Sequence, residues 1–276
     1  MSVNEMNANP LSRERIFAVP GSRISPERIL IFQEVPSTNT LAKEMAAKGA
    51  PHGTVLIADR QSAGRGRLGR SFLSPPDVGV YFSIILRPHC RPQELMHLTC
   101  AAAVAMCDAV EHSFGFRPGI KWTNDLVWNG KKLGGILTEL ALNAKTGLVD
   151  YAIVGVGINC RQTMDQLDPA IADMACSVRM ITGQDADRNI LVAQMIRAMD
   201  ACSAALLSGR AQMLERYRAG CITLGREVSI LRGDEILHGT ALDIDPEGGL
   251  MVRLASGQEI TVSSGEVSIR GLYGYI

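Results

Sequence analysis

The sequence predicts an α+β fold in which a mixed, mostly antiparallel sheet with helices precedes a small all-β module. Strand-like and helix-like patterns alternate from about residue 29 to residue 220, whereas only short β-patterned runs with glycine turns follow residue 225. The 276 residues, of which 46% are hydrophobic, suffice for such a core. We therefore expect an N-terminal tail at 1–26, a large domain at 27–222 and a small β domain at 223–276.

The first half of the chain predicts three strands and two helices. Residues 29–32 are an apolar strand, and residues 37–49 combine several N-cap residues with an apolar helical stripe. Residues 54–58 predict a buried strand, and side chains alternate along a further strand at 80–86. Residues 93–113 carry leucines and alanines along one helical face.

The second half predicts a hairpin, then helices, then the β module. The predicted strands lie at 120–122, 126–128, 133–142 and 148–158, with a hairpin turn at 143–147. Two mainly helical segments fill roughly 165–220. About five short β runs follow, with turns at 233–234, 248–249 and 256–257. We expect these runs to form a partly open barrel.

Composition and charge exclude several classes of protein. Acidic and basic residues are equal in number, 28 of each, which argues against a protein that coats nucleic acid. The first 25 residues lack the apolar core of a signal peptide, and no run of 18 apolar residues could span a membrane. We therefore expect a cytoplasmic protein that has no membrane partner and begins with a loose tail.

The cysteines predict neither disulfides nor zinc. They are seven in number and include no Cys-x-x-Cys pair. They lie at positions 90, 100, 107, 160, 176, 202 and 221. Most have apolar neighbours, so we interpret them as buried free thiols in a reducing compartment.

The most informative motif is the loop at 64–70, with the sequence Gly-Arg-Gly-Arg-Leu-Gly-Arg. Glycine lets a backbone approach a ligand closely, and arginine offers a permanent charge that suits phosphate or carboxylate. The alternatives are a solvated basic turn and an Arg-Gly patch for nucleic acid. Buried strands on both sides favour an anion site, and the spacing matches neither a P-loop nor a Rossmann fingerprint.

Two further motifs mix polar residues with glycines. Residues 121–126 (Lys-Trp-Thr-Asn-Asp-Leu) and 131–137 (Lys-Lys-Leu-Gly-Gly-Ile-Leu) combine both charges, an aromatic side chain and a glycine pair. Each taken alone is better explained as a turn or a hairpin tip, but together they exceed what a turn requires. Residues 154–159 (Val-Gly-Val-Gly-Ile-Asn) place two glycines in a strand, which indicates either a bulge or the close approach of a ligand.

In order and spacing these motifs resemble the biotin protein ligases, also called biotin–[acetyl-CoA-carboxylase] ligases. The matching segments are 37–39, 61–67, 121–125, 132–137, 155–159 and 265–270. The resemblance covers nearly everything from about 29 to 270. It implies a class II synthetase-like catalytic domain followed by an SH3-like β-barrel. Two residues depart from the family pattern: Thr123 stands where proline is frequent, and Phe72 where tryptophan is common.

The resemblance implies a two-step reaction. Biotin and ATP, with Mg²⁺, form biotinyl-5′-adenylate, and the biotinyl group then passes to one lysine of a biotin carboxyl carrier protein. The expected partner is the carrier of acetyl-CoA carboxylase, with other biotin-dependent carboxylases and a homodimer left open. No nucleic-acid partner and no repressor function are expected, because the segment before the first strand is too short for a helix-turn-helix domain.

The same resemblance implies the site residues. Lys132 and Arg67 are the expected catalytic residues, and Asp125 is the expected Mg²⁺ ligand. The expected biotin-binding residues are Ser37, Thr38, Asn39, Gln61, Gly64, Arg65, Gly66, Arg67, Lys132, Gly134, Gly135, Gly155 and Gly157. The expected ATP- and adenylate-binding residues are Arg67, Arg70, Phe72, Lys121, Trp122, Asn124, Asp125, Asn159, Glu266 and Arg270. A core role for Trp122 remains equally open.

Residues 64–76 are expected to act as a lid that folds over the bound ligands. Three alternative functions are weighed: a lipoate or octanoate transferase of the same superfold, a non-catalytic biotin or nucleotide sensor, and an RNA-binding protein. The motif at 121–125 and the arginine-glycine loop favour biotin over lipoate. The presence of Lys132 and Arg67 argues against a sensor, and the neutral charge with only 5% aromatic residues argues against RNA binding.

Overall fold

The computed structural model describes residues 10–21, 23–167, 171–232, 235–263 and 268–271. Within these ranges the chain forms six α-helices and twelve strands. The helices are α1 (Arg13–Phe17), α2 (Thr38–Ala47), α3 (Leu98–Phe114), α4 (Val178–Thr182), α5 (Arg188–Ala205) and α6 (Arg210–Gly220). The strands are β1 (Ile29–Val35), β2 (Val55–Gln61), β3 (Gly79–Leu86), β4 (Gly119–Lys121), β5 (Asp125–Trp128), β6 (Lys131–Leu142), β7 (Val149–Asn159), β8 (Glu227–Arg232), β9 (Glu235–Ile244), β10 (Leu250–Leu254), β11 (Glu259–Val262) and β12 (Ser268–Gly271).

Seven strands form the main sheet, in the order β1-β2-β3-β7-β6-β5-β4. Only β1 and β2 run parallel, and every other neighbouring pair is antiparallel, which confirms the predicted fold class. The register aligns Gly135 of β6 with Gly157 of β7, and Asp125 of β5 with Gly135. The sheet therefore brings together motifs that lie more than 20 residues apart in sequence.

Both faces of the sheet are covered, which explains why every residue of β3 is buried. On one face Ile84 belongs to a large apolar cluster shared with α3 and α5. On the other face Ile85 packs in a smaller cluster with Ala42 and Ala46 of α2. A strand buried on both faces loses the alternation of apolar and polar residues that marks a half-exposed strand.

The N-terminal tail is not loose throughout, contrary to the sequence prediction. Helix α1 lies within it, Ile16 of α1 is buried, and the helix contacts α5. The Asn189 side chain accepts a hydrogen bond from Ser12 N and donates one to Pro10 O. The tail shows only one buried apolar residue, and its hydrogen-bond partner lies 179 residues away, so the sequence of the tail alone does not predict this helix.

The helical region at 165–220 also differs from its prediction of two segments. The described residues of this region contain three helices, and 161–167 and 171–177 are irregular apart from a short 3₁₀ turn at Met164–Gln166. Gly183 ends α4 in a left-handed conformation, and the Asp187 side chain caps the start of α5 through Asn189 N and Ile190 N. These helix-end signals separate α4 from α5.

The C-terminal part forms a second, antiparallel sheet in the order β11-β10-β9-β8-β12. The five predicted β runs are confirmed, and the predicted turn at 233–234 lies outside the described residues. The turn between β9 and β10 contacts the main domain, where the Trp122 indole Nε1 donates to Gly248 O at 2.9 Å. Arg218 of α6 adds an ion pair with Asp243 at 2.8 Å. The C-terminal part is thus tied to the motif at 121–126, which contains Trp122.

All seven cysteines are buried and free, as the sequence predicts. Burial raises the pKa values of the Cys100 and Cys107 thiols to about 12. Across the described ranges, no helix combines the length and apolar character needed to cross a membrane.

Candidate functional site

A pocket opens where the loop between β2 and β3 folds over the middle of the main sheet. We call residues 62–78 the arginine loop. Residues from this loop, from α2 and from several strands line the pocket: Ser37, Thr38, Asn39, Gln61, Arg65, Gly66, Arg67, Leu68, Arg70, Ser71, Phe72, Lys121, Trp122, Asn124, Asp125, Lys132, Gly135, Ile136, Leu137, Gly155, Val156 and Gly157. The motifs that sequence analysis singled out therefore meet in one cavity.

One end of the pocket is a network of neutral polar side chains at the start of α2. Thr38 donates its backbone N–H and its hydroxyl to Gln61 Oε1, at 2.8 and 3.1 Å. Gln61 Nε2 donates to Ser74 Oγ at 2.8 Å. The wholly buried Ser83 hydroxyl lies 2.8 Å from Thr38 Oγ1 and 2.7 Å from Asn39 Oδ1. Such a network fixes the side-chain orientations before a ligand arrives.

Asn39 is seated directly on β7. Its Nδ2 donates to Leu137 O at 3.2 Å and to Glu139 Oε2 at 3.0 Å. A Cβ atom added at Gly155 would lie only 1.9 Å from Asn39 Oδ1. Gly155 is therefore required by the Asn39 side chain, a reason that the sequence pattern did not reveal.

Phe72 lies on the second glycine of the same strand. A Cβ atom at Gly157 would lie 2.5 Å from Phe72 Cε1, so the ring rests against the bare backbone. The ring also meets Tyr81 edge to face, with centroids 6.4 Å apart. Phe72 N donates to Gly64 O at 2.9 Å, which holds this side of the arginine loop against the sheet.

The arginine loop is itself well structured. Gly66 N donates to Arg70 O at 2.7 Å, closing a tight turn. Leu68 at its tip has a left-handed backbone with φ of 55° and is 64% exposed. The turn leaves Arg65, Arg67 and Arg70 along the pocket, so the loop supplies three cationic side chains to one cavity.

Arg67 reaches across the pocket to Asn124. Its Nη1 donates to Asn124 Oδ1 at 2.9 Å, and Asn124 Nδ2 donates to Ile136 O at 2.9 Å. Burial lowers the pKa of the Arg67 guanidinium from its ordinary value, while the charge of Asp125 opposes that shift. The group remains a cation at neutral pH, because arginine begins from so high a pKa.

Lys132 forms an ion pair with Asp125 on the neighbouring strand. The Nζ atom lies 2.7 Å from Asp125 Oδ1, and both side chains are partly buried. Gly135 lies beside the pair, and a Cβ atom there would approach Lys132 Nζ and Asp125 Oδ1 to 3.3 Å. The backbone of Lys132 is held by Met174 O at 2.7 Å. The ammonium is thus fixed at the cavity wall by a carboxylate partner.

Glu139 ties the arginine loop to α2. Its carboxylate accepts from Arg65 at 3.2 Å and from Lys43 at 3.0 Å, in addition to Asn39. Although burial raises the pKa of Glu139, hydrogen bonds from Lys43 and Asn39 and the charge of Arg65 outweigh it, and the pKa lies below the ordinary value. Glu139 and Ser83 were not among the predicted site residues. A polar residue inside each apolar strand was the available signal.

Most predicted residues line the pocket, but some do not. Gly64, Gly134 and Asn159 are not among its lining residues. Asn159 instead donates from Nδ2 to Cys176 O at 3.0 Å and accepts from Gln162. Glu266 lies outside the described residues, and Arg270 is described only through its backbone on β12. The additional lining residues that sequence analysis missed are Leu68, Ser71, Ile136, Leu137 and Val156.

Trp122 lines the pocket and is also a core residue. It is 5% exposed, and its indole is engaged with Gly248 O. The Trp122–Thr123 peptide bond is cis. The hydroxyl of Thr223 accepts from Trp122 N at 2.9 Å, so both N–H groups of this residue donate to the C-terminal part of the chain.

Comparison with known proteins agrees with this architecture. The sequence profile of the Biotin/lipoate A/B protein ligase family matches residues 31–159, and that of the Biotin protein ligase C terminal domain matches residues 223–270. The bifunctional ligase/repressor BirA of Bacillus spizizenii is 34% identical over 83% of this chain and 70% of its own length. The biotin–[acetyl-CoA-carboxylase] ligase of Mycobacterium tuberculosis is 32% identical over 86% of this chain and 87% of its own.

Solved structures give the same result. The biotin protein ligase of Aquifex aeolicus, in complex with biotin and ATP, superposes with a TM-score of 0.73 and 30% identity, over 88% of this chain and 98% of that one. A Leishmania major biotin protein ligase, solved with biotin, shares the fold, with a TM-score of 0.59 and 24% identity over 87% of this chain and 100% of that one. On its sequence, its two matched domains and its fold, the chain belongs to the biotin/lipoate A/B protein ligase family and carries the C-terminal domain of the biotin protein ligases.

Proposed function

We propose that this protein is a biotin protein ligase that joins biotin to ATP and then biotinylates a carrier protein. The observation that carries the proposal is the pairing, in one pocket, of two fixed cations with a neutral hydrogen-bonding end. Arg67 and Lys132 supply the cations, and Thr38, Asn39 and Gln61 supply the neutral end. Relatives with the name biotin–[acetyl-CoA-carboxylase] ligase support the same activity.

In the first step two anions must meet. A biotin carboxylate oxygen attacks the α-phosphorus of ATP, an oxygen–phosphorus bond forms, and the bond to the β-phosphate breaks to release pyrophosphate. Lys132 and Arg67 offset the repulsion between these anions and stabilise the charge that builds up at phosphorus. The partners Asp125 and Asn124 hold the two cations in position, so little rearrangement is needed during reaction.

The neutral end of the pocket suits the ureido ring of biotin, which needs hydrogen-bond donors and acceptors without charge. Ser37, Thr38, Asn39 and Gln61 offer both kinds of group. Arg65 and the backbone at Gly66, Gly135, Gly155 and Gly157 are the proposed lining for the rest of the biotin molecule. Gly64 and Gly134 remain proposed biotin contacts from the sequence resemblance.

The rest of the pocket lining, beyond the neutral end, is proposed to bind ATP. The lining residues that support this role are Arg70, Lys121, Asn124 and Phe72. Trp122 is better explained as a wall fixed by Gly248 than as a mobile stacking ring. Asn159, Glu266 and Arg270 remain proposed contacts from the sequence resemblance.

The pocket lining offers a magnesium ion one carboxylate ligand. Asp125 is the single carboxylate among the pocket-lining residues, and the described residues hold no group of three His, Cys, Asp or Glu side chains suited to a metal. Mg²⁺ often takes one or two carboxylates and completes its shell with phosphate oxygens and water. Asp125 would hold the ion beside Lys132, and the ion would supply additional neutralisation of phosphate charge.

In the second step, a lysine ε-amine of the carrier attacks the carbonyl carbon of the mixed anhydride. A carbon–nitrogen bond forms, the bond to the phosphate oxygen breaks, and AMP leaves. The protein contributes no nucleophile of its own, so its task is to retain the adenylate and to keep water away. We propose a biotin carboxyl carrier protein as the acceptor, as the names of the relatives suggest.

Mass spectrometry of a carrier domain tests this function. After incubation with this protein, biotin and Mg-ATP, we expect the carrier mass to increase by one biotinyl group at one lysine. Omission of ATP should abolish the increase, and replacement of biotin by lipoate should leave the carrier unmodified. A lipoylated carrier, or no modification with biotin, would contradict the proposal.

A further inference from the structure

A wholly buried arginine lies outside the pocket, at the first residue of α5. The side chain of Arg188 has no exposed surface. Its Nη1 donates to Asp59 Oδ1 at 2.6 Å and to Gly79 O at 3.2 Å. Its Nη2 donates to Asp77 Oδ1 at 3.3 Å. The guanidinium therefore joins three points of the chain that are distant from it in sequence.

These three points are the two ends of the arginine loop. Asp59 lies on β2, two residues before Gln61 and the start of the loop. Asp77 and Gly79 lie where the loop returns into β3. Asp77 N also donates to Asp59 Oδ2 at 3.3 Å, so the two ends contact each other as well as Arg188. We call Arg188, Asp59 and Asp77 the loop-base cluster.

The loop-base cluster is not explained by a gain in folding stability, because burying its charges costs free energy. Moving a guanidinium out of water costs several kcal/mol, and a hydrophobic side chain of similar size often gives equal or better stability. Within the described part of the chain, the Arg188 Nε atom lacks a hydrogen-bond partner, which adds to the cost. Asp77 is half exposed and adopts a left-handed backbone with φ of 65°. Its ion pair therefore adds little stability, yet it fixes the direction in which the loop returns.

We propose that Arg188 is a positioning residue for the adenylation step, acting through the base of the arginine loop. This inference rests on the proposed ligase function. Catalysis by Arg67 requires its guanidinium to be held where charge develops, and a displacement of about 1 Å can cost roughly 100-fold in rate. By joining Asp59 to Asp77, Arg188 limits the conformations open to the loop that carries Arg67 and Phe72.

A second arginine offers a matched control. Arg117 also contacts two carboxylates, Asp108 at 2.7 Å and Glu111 at 2.7 Å. The Glu111 side chain is 47% exposed, close to the 50% of Asp77 in the loop-base cluster. These residues lie at the end of α3, away from the pocket lining. Asp77→Asn and Glu111→Gln each remove one carboxylate charge from a side chain of similar exposure. Asparagine tolerates the left-handed backbone of position 77.

The experiment measures biotin-dependent exchange of pyrophosphate into ATP, limited proteolysis within 64–76, and thermal unfolding. For Asp77→Asn we expect kcat to fall roughly 10-fold or more, faster cleavage of the loop, and an almost unchanged unfolding temperature. Glu111→Gln should change none of the three. Arg188→Met should lose more activity than Arg188→Lys, which retains a charge at the loop base.

The inference is overturned if Asp77→Asn and Arg188→Lys keep the wild-type kcat and the wild-type cleavage pattern. A folded Arg188→Met variant with wild-type kcat would also overturn it. If Arg188→Met does not fold, Asp77→Asn decides the question. Activity of the wild-type protein in the same assay separates the two proposals, because failure of the wild type to form the adenylate would refute the ligase function and with it this inference.

Discussion

The reactive cations of this pocket are held by named partners rather than left free in solvent. Lys132 is fixed by Asp125, and Arg67 by Asn124. Sequence analysis found all four residues from three short motifs, but it could not give the pairing. The pairing depends on the register of β5 against β6 and on the path of the arginine loop. Both are long-range features that no local pattern specifies.

At the same scale, the glycines of β7 have a role in protein packing. The prediction was that Gly155 and Gly157 allow a ligand to approach. In the structure, a side chain from another part of the protein lies against each of these glycines. Asn39 occupies the space at Gly155, and Phe72 that at Gly157. The sequence pattern indicated that something lies close to these glycines, but it could not distinguish a ligand from a side chain.

Gly155→Ala should disturb the neutral end of the pocket. The added methyl carbon would lie 1.9 Å from Asn39 Oδ1, so Asn39 must leave its hydrogen bonds to Leu137 and Glu139. We expect a loss of about 1–3 kcal/mol in unfolding free energy and weaker biotin binding, measured by chemical unfolding and calorimetry. Gly220→Ala is the control, because the nearest atom there is at 3.5 Å. Equal stability of the two variants would contradict this packing.

Glu139→Gln tests the ion cluster through its pH dependence. Because the folded-state pKa of Glu139 is lowered, its stabilisation is fully present above the unfolded pKa of about 4.3 and is lost as the pH falls through the folded value. We expect the variant to be less stable than wild type by about 1 kcal/mol at neutral pH, and the difference to shrink in acid below that range. A difference that does not depend on pH would contradict the assignment.

At the scale of elements, periodicity predicted the strands of the main sheet well, because each is bounded by turn residues. The helices at 165–220 were predicted less well. Their boundaries depend on helix-end signals such as Gly183 and Asp187, which are short and local, and on packing of α5 against α3. Helix α1 was missed because its stability comes from contact with α5 rather than from its own five residues.

The arginine loop is the element whose behaviour matters most for function. Two backbone hydrogen bonds, Gly66 N to Arg70 O and Phe72 N to Gly64 O, define its fold over the sheet. We expect biotin plus ATP to slow proteolytic cleavage within 64–76, because bound anions add contacts to the arginines of the loop. Biotin with ATP omitted serves as the control. Cleavage at the same rate with and without both ligands would contradict a lid role.

At the scale of the whole molecule, the second sheet is joined to the main domain at the pocket wall. Trp122 donates to Gly248 O through its indole and to Thr223 Oγ1 through its backbone. We predicted a domain boundary near residue 222 because only short β-patterned runs follow it in the sequence. The contact between Trp122 and Gly248 could not be predicted in this way, since it links residues 126 positions apart. Composition and local pattern do not encode such pairings, which arise only when the two parts pack.

The buried cysteines provide a measure of how intact this packing is. Burial raises the pKa values of Cys100, Cys107 and Cys202 to about 12, so few thiolates exist near neutral pH. We expect the folded protein to react very slowly with Ellman's reagent at about pH 8, and all seven thiols to react once the chain is unfolded in denaturant. Rapid labelling of several thiols under native conditions would show that the core is more open than described.

The central claim is that the cations of this pocket bring biotin and ATP together. Lys132→Met tests it most directly, with Lys131→Met on the adjacent residue as the control and biotin-dependent pyrophosphate exchange as the assay. We expect Lys132→Met to lose on the order of 100- to 1,000-fold in kcat, while Lys131→Met remains close to wild type. A folded Lys132→Met protein that exchanges pyrophosphate at the wild-type rate would contradict the claim.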